Sequence, residues 1–134
     1  MSDGSIWSEL TLRKVAQKGP LTGHGLLAEL SEAMAELHER HHGRRPTSAQ
    51  CTLMGDDLLV CVLSGVYTEV EKTMIELGRA AVVKETRSAF YDALRERLTA
   101  DVRRLSGRSV VAFFATQHVG PDLEILLFVL GPDN

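Results

Sequence analysis

The stretch Leu58-Leu59-Val60-Cys61-Val62-Leu63 is apolar at every position. It reads as a strand, and successive side chains on a strand point to opposite faces of its sheet. Both faces are therefore apolar, so the strand belongs at the centre of a sheet that is covered on both sides. The strand before it, about Ser48 to Met54, sets Ala49, Cys51 and Leu53 against Gln50 and Thr52 and has one polar face. Gly55-Asp56 between the two makes a tight turn, so the pair is a β-hairpin. A second hairpin closes the chain. It runs from Ser109 to Gln117, turns over Gly120-Pro121-Asp122 and returns from Leu123 to Leu130, again apolar on both faces. The final Gly131-Pro132-Asp133-Asn134 reads as a solvated end.

Helices separate the hairpins. Leu26, Leu27, Leu30, Met34, Leu37 and His41 recur at spacings of three and four and define a helix from Leu26 to His42. Gly43 suits the left-handed residue after its last turn, and Pro46 prevents continuation. Thr68-Glu69-Val70-Glu71 is a capping box. It opens a short helix that carries Val70, Met74 and Leu77 and stops at Gly78. A longer helix from Ala80 to Leu105 buries Val83, Phe90, Tyr91, Leu94, Leu98, Val102 and Leu105. Its mixed-sign remainder, Arg87 included, reads as a solvated face.

The order is helix-hairpin-helix-helix-hairpin. Gly43-Arg44, Asp57-Leu58 and Gly65 in the first half are echoed by Gly107-Arg108, Asp122-Leu123 and Gly131 in the second. This layout predicts an α+β fold, a duplicated α-β-β unit whose hairpins form one four-stranded antiparallel sheet covered by helices on one face. The other face needs a cover as well, and a second copy of the chain supplies it, so a homodimer is expected. Residues 1–24, rich in glycine and holding Trp7, read as an N-terminal arm with a contact role toward a second subunit, and residues 25–131 as the single domain.

Composition narrows the function. With 134 residues, 44% of them hydrophobic and 25% charged, the chain is an ordinary globular domain. A net charge of −3 and interleaved basic and acidic residues argue against nucleic acid. Aromatic residues at 5% are too few for a base- or sugar-stacking platform. No apolar run reaches the ~20 residues that span a bilayer, and the first residues do not read as a secretory signal. Direct membrane insertion is not expected, and a cytoplasmic location is. In that compartment Cys51 and Cys61 read as small buried side chains rather than a disulfide or metal pair.

The candidate chemistry is thin. His38 and His42, one helical turn apart, could aim two imidazoles at one metal, but zinc needs three or four ligands and no third is in place. The three histidines near this helix end, with His41, read as dipole or solvent contacts. Arg44 and Arg45, with Thr47 and Ser48 following, could hold a phosphate or carboxylate, although a helix C-terminus repels anions. His118 near Asp122 has the look of a dyad, yet a general base needs a reactive group to serve, and a hydrogen-bonded turn explains the pair. Tyr67 and Arg87 stand isolated. The ligand-binding candidates are therefore Arg44, Arg45, Arg87, Arg108, His118 and Asp122, with no catalytic residue, metal or cofactor expected.

Several segments together resemble one bacterial family. They are Gly43-Arg44-Arg45-Pro46-Thr47-Ser48, Asp56-Asp57, Thr68-Glu69-Val70-Glu71-Lys72, Val83-Lys84-Glu85-Thr86-Arg87 with Phe90, Gly107-Arg108-Ser109-Val110-Val111-Ala112, and His118 through Asp122-Leu123 to Phe128-Val129-Leu130. Over about residues 25 to 130 the chain is similar to the MpsC-like family, formerly a domain of unknown function. Val66-Tyr67-Thr68-Glu69 departs from the Leu-Thr-Pro entry that the family tends to show. The family is named for the third component of a sodium-translocating, membrane-potential-generating system linked to bicarbonate or CO2 supply in some bacteria. The resemblance implies a non-enzymatic accessory or regulatory module that binds a protein partner at a membrane transporter, and it brings no catalytic residues. The alternative is a small-anion sensor that uses the Arg/His cluster.

Overall fold

The computed structural model describes residues 23–133, without the side chains of His24 and Asp133. The arm expected over residues 1–24, and Trp7 with it, lies outside the described residues up to residue 22, while Gly23 and His24 already belong to the first helix. The elements are α1 (Gly23–His42), β1 (Ser48–Met54), β2 (Leu58–Ser64), α2 (Glu69–Glu76), α3 (Ala80–Ser106), β3 (Arg108–Val119) and β4 (Asp122–Asp133).

The fold is α+β, with three helices among the described residues and an antiparallel four-stranded sheet of order β1-β2-β4-β3. Leu58–Leu63 is an inner strand, as expected. Of the two strands in the second hairpin that read as apolar on both faces, only β4 is inner; β3 is an edge strand with Val111 and Phe114 exposed. β2 pairs with β4, Val60 opposite Leu127 and Val62 opposite Ile125, so each hairpin presents its second strand to the other. The Gly131 end is not a free end: Gly131 is buried, although Pro132 is exposed as the sequence suggested. Strand β4 continues to Asp133, which pairs with Arg108, because β3 is long enough to offer partners there.

Alternation then sorts the side chains. Cys51, Leu59, Cys61, Leu63, Phe113, Leu126, Phe128 and Leu130 join Leu30, Met34 and Leu37 of α1 and Val83, Tyr91, Leu98, Val102 and Leu105 of α3 in one buried core. Helix α1 packs on β1 and α3 on β3. The opposite face carries Met54, Leu58, Val60, Val62, Ile125, Leu127, Val129 and Phe114. There Met54 is 54% and Phe114 58% exposed, and the inner-strand residues are half-buried.

Cys51 and Cys61 correct the expectation of free thiols. The antiparallel register sets them directly opposite each other on the core face, their Cα atoms 4.0 Å apart, and they are joined in a disulfide. Both remain buried beneath α1, where the Ser31 hydroxyl accepts from the Cys51 amide. Gly65 ends β2 with φ +64°, and a Cβ there would run into the Thr47 side chain. Only glycine both tolerates that backbone and admits that approach.

Helix α2 begins with the expected capping box. The Thr68 hydroxyl accepts from the Glu71 amide at 3.2 Å, and the Glu71 carboxylate accepts from the Thr68 amide at 2.9 Å. None of its residues is buried, and Val70 and Leu77 are 71% and 73% exposed. Met74 and Ile75 pack against the core as half-buried side chains, and polar contacts complete the hold on α2.

Candidate functional site

Those polar contacts converge on Arg87, which the sequence placed on the solvated face of α3. Its position is four residues after Val83 and four before Tyr91, so it shares their stripe and points at the sheet. The side chain is 1% exposed, and each of its five N–H donors is matched. Nε and Nη2 grip the Glu71 carboxylate at 2.9 and 2.6 Å. Nη2 also donates to the Val66 carbonyl at 2.9 Å, and Nη1 donates to His38 Nε2 at 2.9 Å and Glu124 at 3.1 Å. The guanidinium lies 5.1 Å from the centre of the Tyr67 ring.

A second shell of donors closes round Glu124, which is fully buried on β4. Tyr91 donates to one carboxylate oxygen at 2.9 Å, and the Gln117 amide donates to the other at 2.7 Å. Tyr67 in turn donates toward Gln117 Oε1 and the His118 carbonyl. Residues from α1, α2, α3, β3, β4 and the β2–α2 connection thus meet at one buried centre. Tyr67 and Arg87 are not isolated; they are partners in it.

Arginine can only donate, so His38 Nε2 must be an acceptor and its proton must sit on Nδ1. Nδ1 accordingly donates to the Arg44 carbonyl at 2.6 Å. His38 is 2% exposed, a buried neutral link and not the solvated helix-end residue expected of it. Both nitrogens being engaged, it has no lone pair for a metal. Burial pushes its pKa down, with Arg87 adding to that, while the Arg44 carbonyl and Glu124 oppose. His42 stacks 4.5 Å from His38 and 4.9 Å from Phe90, and its Nε2 is buried without a hydrogen bond. Burial, reinforced by Arg87 and His38, takes its pKa down to about 3. Burial alone would raise the Glu71 carboxyl, but the Arg87 hydrogen bonds and the Thr68 amide hold it below its ordinary value. Burial also takes Tyr67 up to about 12, so it stays a protonated donor.

The sequence candidates divide. Arg44, Arg87 and Asp122 gather round the Gly65–Tyr67 segment, where Arg44 and Arg87 each take one carbonyl and Asp122 takes the amide of both peptide groups. Arg44 Nε donates to the Gly65 carbonyl at 2.9 Å, and the Asp122 carboxylate accepts from the Val66 and Tyr67 amides at 2.8 and 3.3 Å. Arg45 sits apart, held by both oxygens of Glu32 at 2.7 and 2.8 Å beside a cavity of about 340 Å³. Arg108 lies at the other end of the sheet on the Gly131 and Asp56 carbonyls. His118 turns to the Pro121 carbonyl at 2.8 Å, so it and Asp122 do not form a dyad. Further cavities of about 240 and 210 Å³ lie between α3 and β3, lined by residues outside the Arg87 centre. Among the described residues no group of three or more His, Cys, Asp or Glu is placed to hold a metal ion.

Sequence reasoning missed His38, Glu71 and Glu124 as partners of Arg87, and Tyr91 and Gln117 as partners of Glu124. A lone carboxylate at a core-facing position of an apolar strand, and an arginine on an apolar stripe, were the available signals. The donor–acceptor matching leaves no reactive group presented to a substrate at this centre; it is a small α+β domain built round a satisfied ionic hub. The chain belongs to the MpsC family: the model described as "Na+-translocating membrane potential-generating system (MpsC)" matches residues 22–131. No curated protein and no solved structure gives a significant match. No helix among the described residues is long and apolar enough to cross a membrane.

Proposed function

We propose that this chain is a non-enzymatic accessory module that binds protein, in its family's setting of a sodium-translocating, membrane-potential-generating system. One observation carries the reading. The ionisable groups of the hub are buried and matched to one another, whereas apolar side chains are turned outward on an uncharged sheet face and on α2. Such a surface recognises another protein by burial rather than by chemistry. We place the module in the cytoplasm as a homodimer, in peripheral contact with a transporter subunit. The order β1-β2-β4-β3, with the second strand of each hairpin innermost, supports reading it as a duplicated α-β-β unit.

The test is the membrane potential of native cells, followed with a potential-sensitive dye in sodium medium. Deletion of the chain is expected to lower the potential, and wild type and His118→Ala to restore it. Val70→Glu/Leu77→Glu is expected to fold and fail. A deletion without effect, or loss of function in His118→Ala, would overturn the reading. The second reading, a small-anion sensor using Arg44, Arg45, Arg87, Arg108, His118 or Asp122, has one observation in its favour, Arg45 beside the 340 Å³ cavity. Bicarbonate titration watched by NMR would show it as saturable shifts at Arg45.

A further inference from the structure

We infer that the helix-free face of the sheet is where a second copy of this chain docks, face to face, to make an eight-stranded sandwich. This rests on the protein-binding reading and names the partner and the surface. Over the regular part of the register, from Ser48 to Met54, Leu58 to Ser64, Ala112 to His118 and Leu123 to Val129, no residue on this face is Lys, Arg, Asp or Glu, although a quarter of the chain is charged. Its centre is aliphatic, with Val60, Val62, Ile125 and Leu127 on the two inner strands. Ser48, Gln50 and Thr52 edge it on one side, Thr116 and His118 at the opposite corner. An apolar centre with a polar, uncharged margin is the anatomy of an interface that is normally closed.

Three considerations select a second copy as the occupant. A partner of different sequence is chosen by complementary charge as well as burial, and this face offers no charge to complement. A twofold copy meets it without like-charge repulsion, and isologous twofold contact is the commonest assembly. The size is that of a small interface. Four strands about 4.8 Å apart and seven residues deep at about 3.3 Å each make a patch of about 450 Å², so two copies would bury about 900 Å² in all, close to the roughly 1,000 Å² of a specific contact. Finally, β2 and β4 are apolar on both faces, so the cover must be present whenever the chain is folded. An identical chain, made at the same place and in equal amount, meets that condition.

The experiment uses the full chain at micromolar concentration. Sedimentation equilibrium is expected to give twice the 14.7 kDa chain mass. Leu127→Lys, which puts a cation at the middle of the face, is expected to give a monomer with unchanged helical circular dichroism. Should that variant unfold, a photo-crosslinker replacing Phe114 in a mixture of ¹⁴N- and ¹⁵N-labelled chains decides. Mixed-label crosslinks onto Val60, Thr52 or Phe114 itself support the inference. A monomeric wild type, mixed-label crosslinks onto helices, or same-chain crosslinks to residues 1–22 would each overturn it. The dye assay reads the accessory role independently, so a monomer that still restores the potential refutes the dimer and spares the function.

Discussion

Replacing Arg87 with Met keeps the length and apolar stem of the side chain and removes only the guanidinium. Five hydrogen bonds vanish at once: two to Glu71 and one each to Val66, His38 and Glu124. Glu124, fully buried, is left a carboxylate facing Tyr91 and Gln117 without a countercharge. Removing one partner of a buried ion pair costs about 3–5 kcal/mol, because the survivor stays desolvated. For a domain of this size each kcal/mol corresponds to about 3–5 °C in Tm, so a fall of about 10–20 °C is expected. Urea unfolding followed by circular dichroism at pH 7.5 measures it, with exposed Arg103→Met on the same helix as a control expected within about 0.5 kcal/mol. The stronger check is the double variant Arg87→Met/Glu124→Gln. If the cost comes from the stranded carboxylate, neutralising it returns at least about 1.5 kcal/mol relative to additivity. An Arg87→Met loss below about 1 kcal/mol, or a strictly additive double variant, would refute the view that this centre organises the fold.

Three further outcomes follow from the same geometry. His38 and His42 have folded pKa values below the ordinary 6.5, His42 at about 3, so the unfolded chain takes up protons first as the pH falls. Stability is complete above about pH 7 and declines below 6.5 by at most about 1.4 kcal/mol per pH unit for each histidine. Urea midpoints between pH 7.5 and 5 should show this slope, and His42→Phe should flatten it; a pH-independent midpoint contradicts it. Gly65→Ala places a Cβ at φ +64° against Thr47 and should cost more than about 1 kcal/mol, with Thr47→Ala restoring part of the loss in thermal melts. Ellman titration of the unreduced, denatured protein should find no free thiol, and reduction should lower stability by about 2–3 kcal/mol for a loop of this length. Free thiols in protein from freshly lysed cells would instead support the reduced pair expected in a cytoplasm.

Much of this was visible in the chain before folding. Although the apolar reading of Ser109–Gln117 did not distinguish the edge strand β3 from the inner β4, the apolar run Leu58–Leu63 announced an inner strand, because alternation is a property of the strand itself. The capping box at Thr68 and Glu71 was legible for the same reason, as its partners are three residues apart. The disulfide was nearly legible. A turn centred on Asp56 pairs position 51 with 61, and the expectation of a reducing compartment had set that arithmetic aside.

The hub was not visible. His38, Glu71, Arg87, Gln117 and Glu124 lie on separate elements, and no spacing relates them. Local periodicity states which face a residue occupies; it says nothing of which distant residue occupies the facing position. The mixed-sign pattern of α3 reads Arg87 as part of a solvated face, and that reading fails where five acceptors on other elements have been brought to meet the side chain. Sequence alone therefore determined the elements, their order and the apolar sheet face that still asks for a cover. Tertiary structure alone decided that one arginine is shared by two glutamates and a neutral histidine inside, because their hydrogen-bond match exists only once the helices are packed on the sheet.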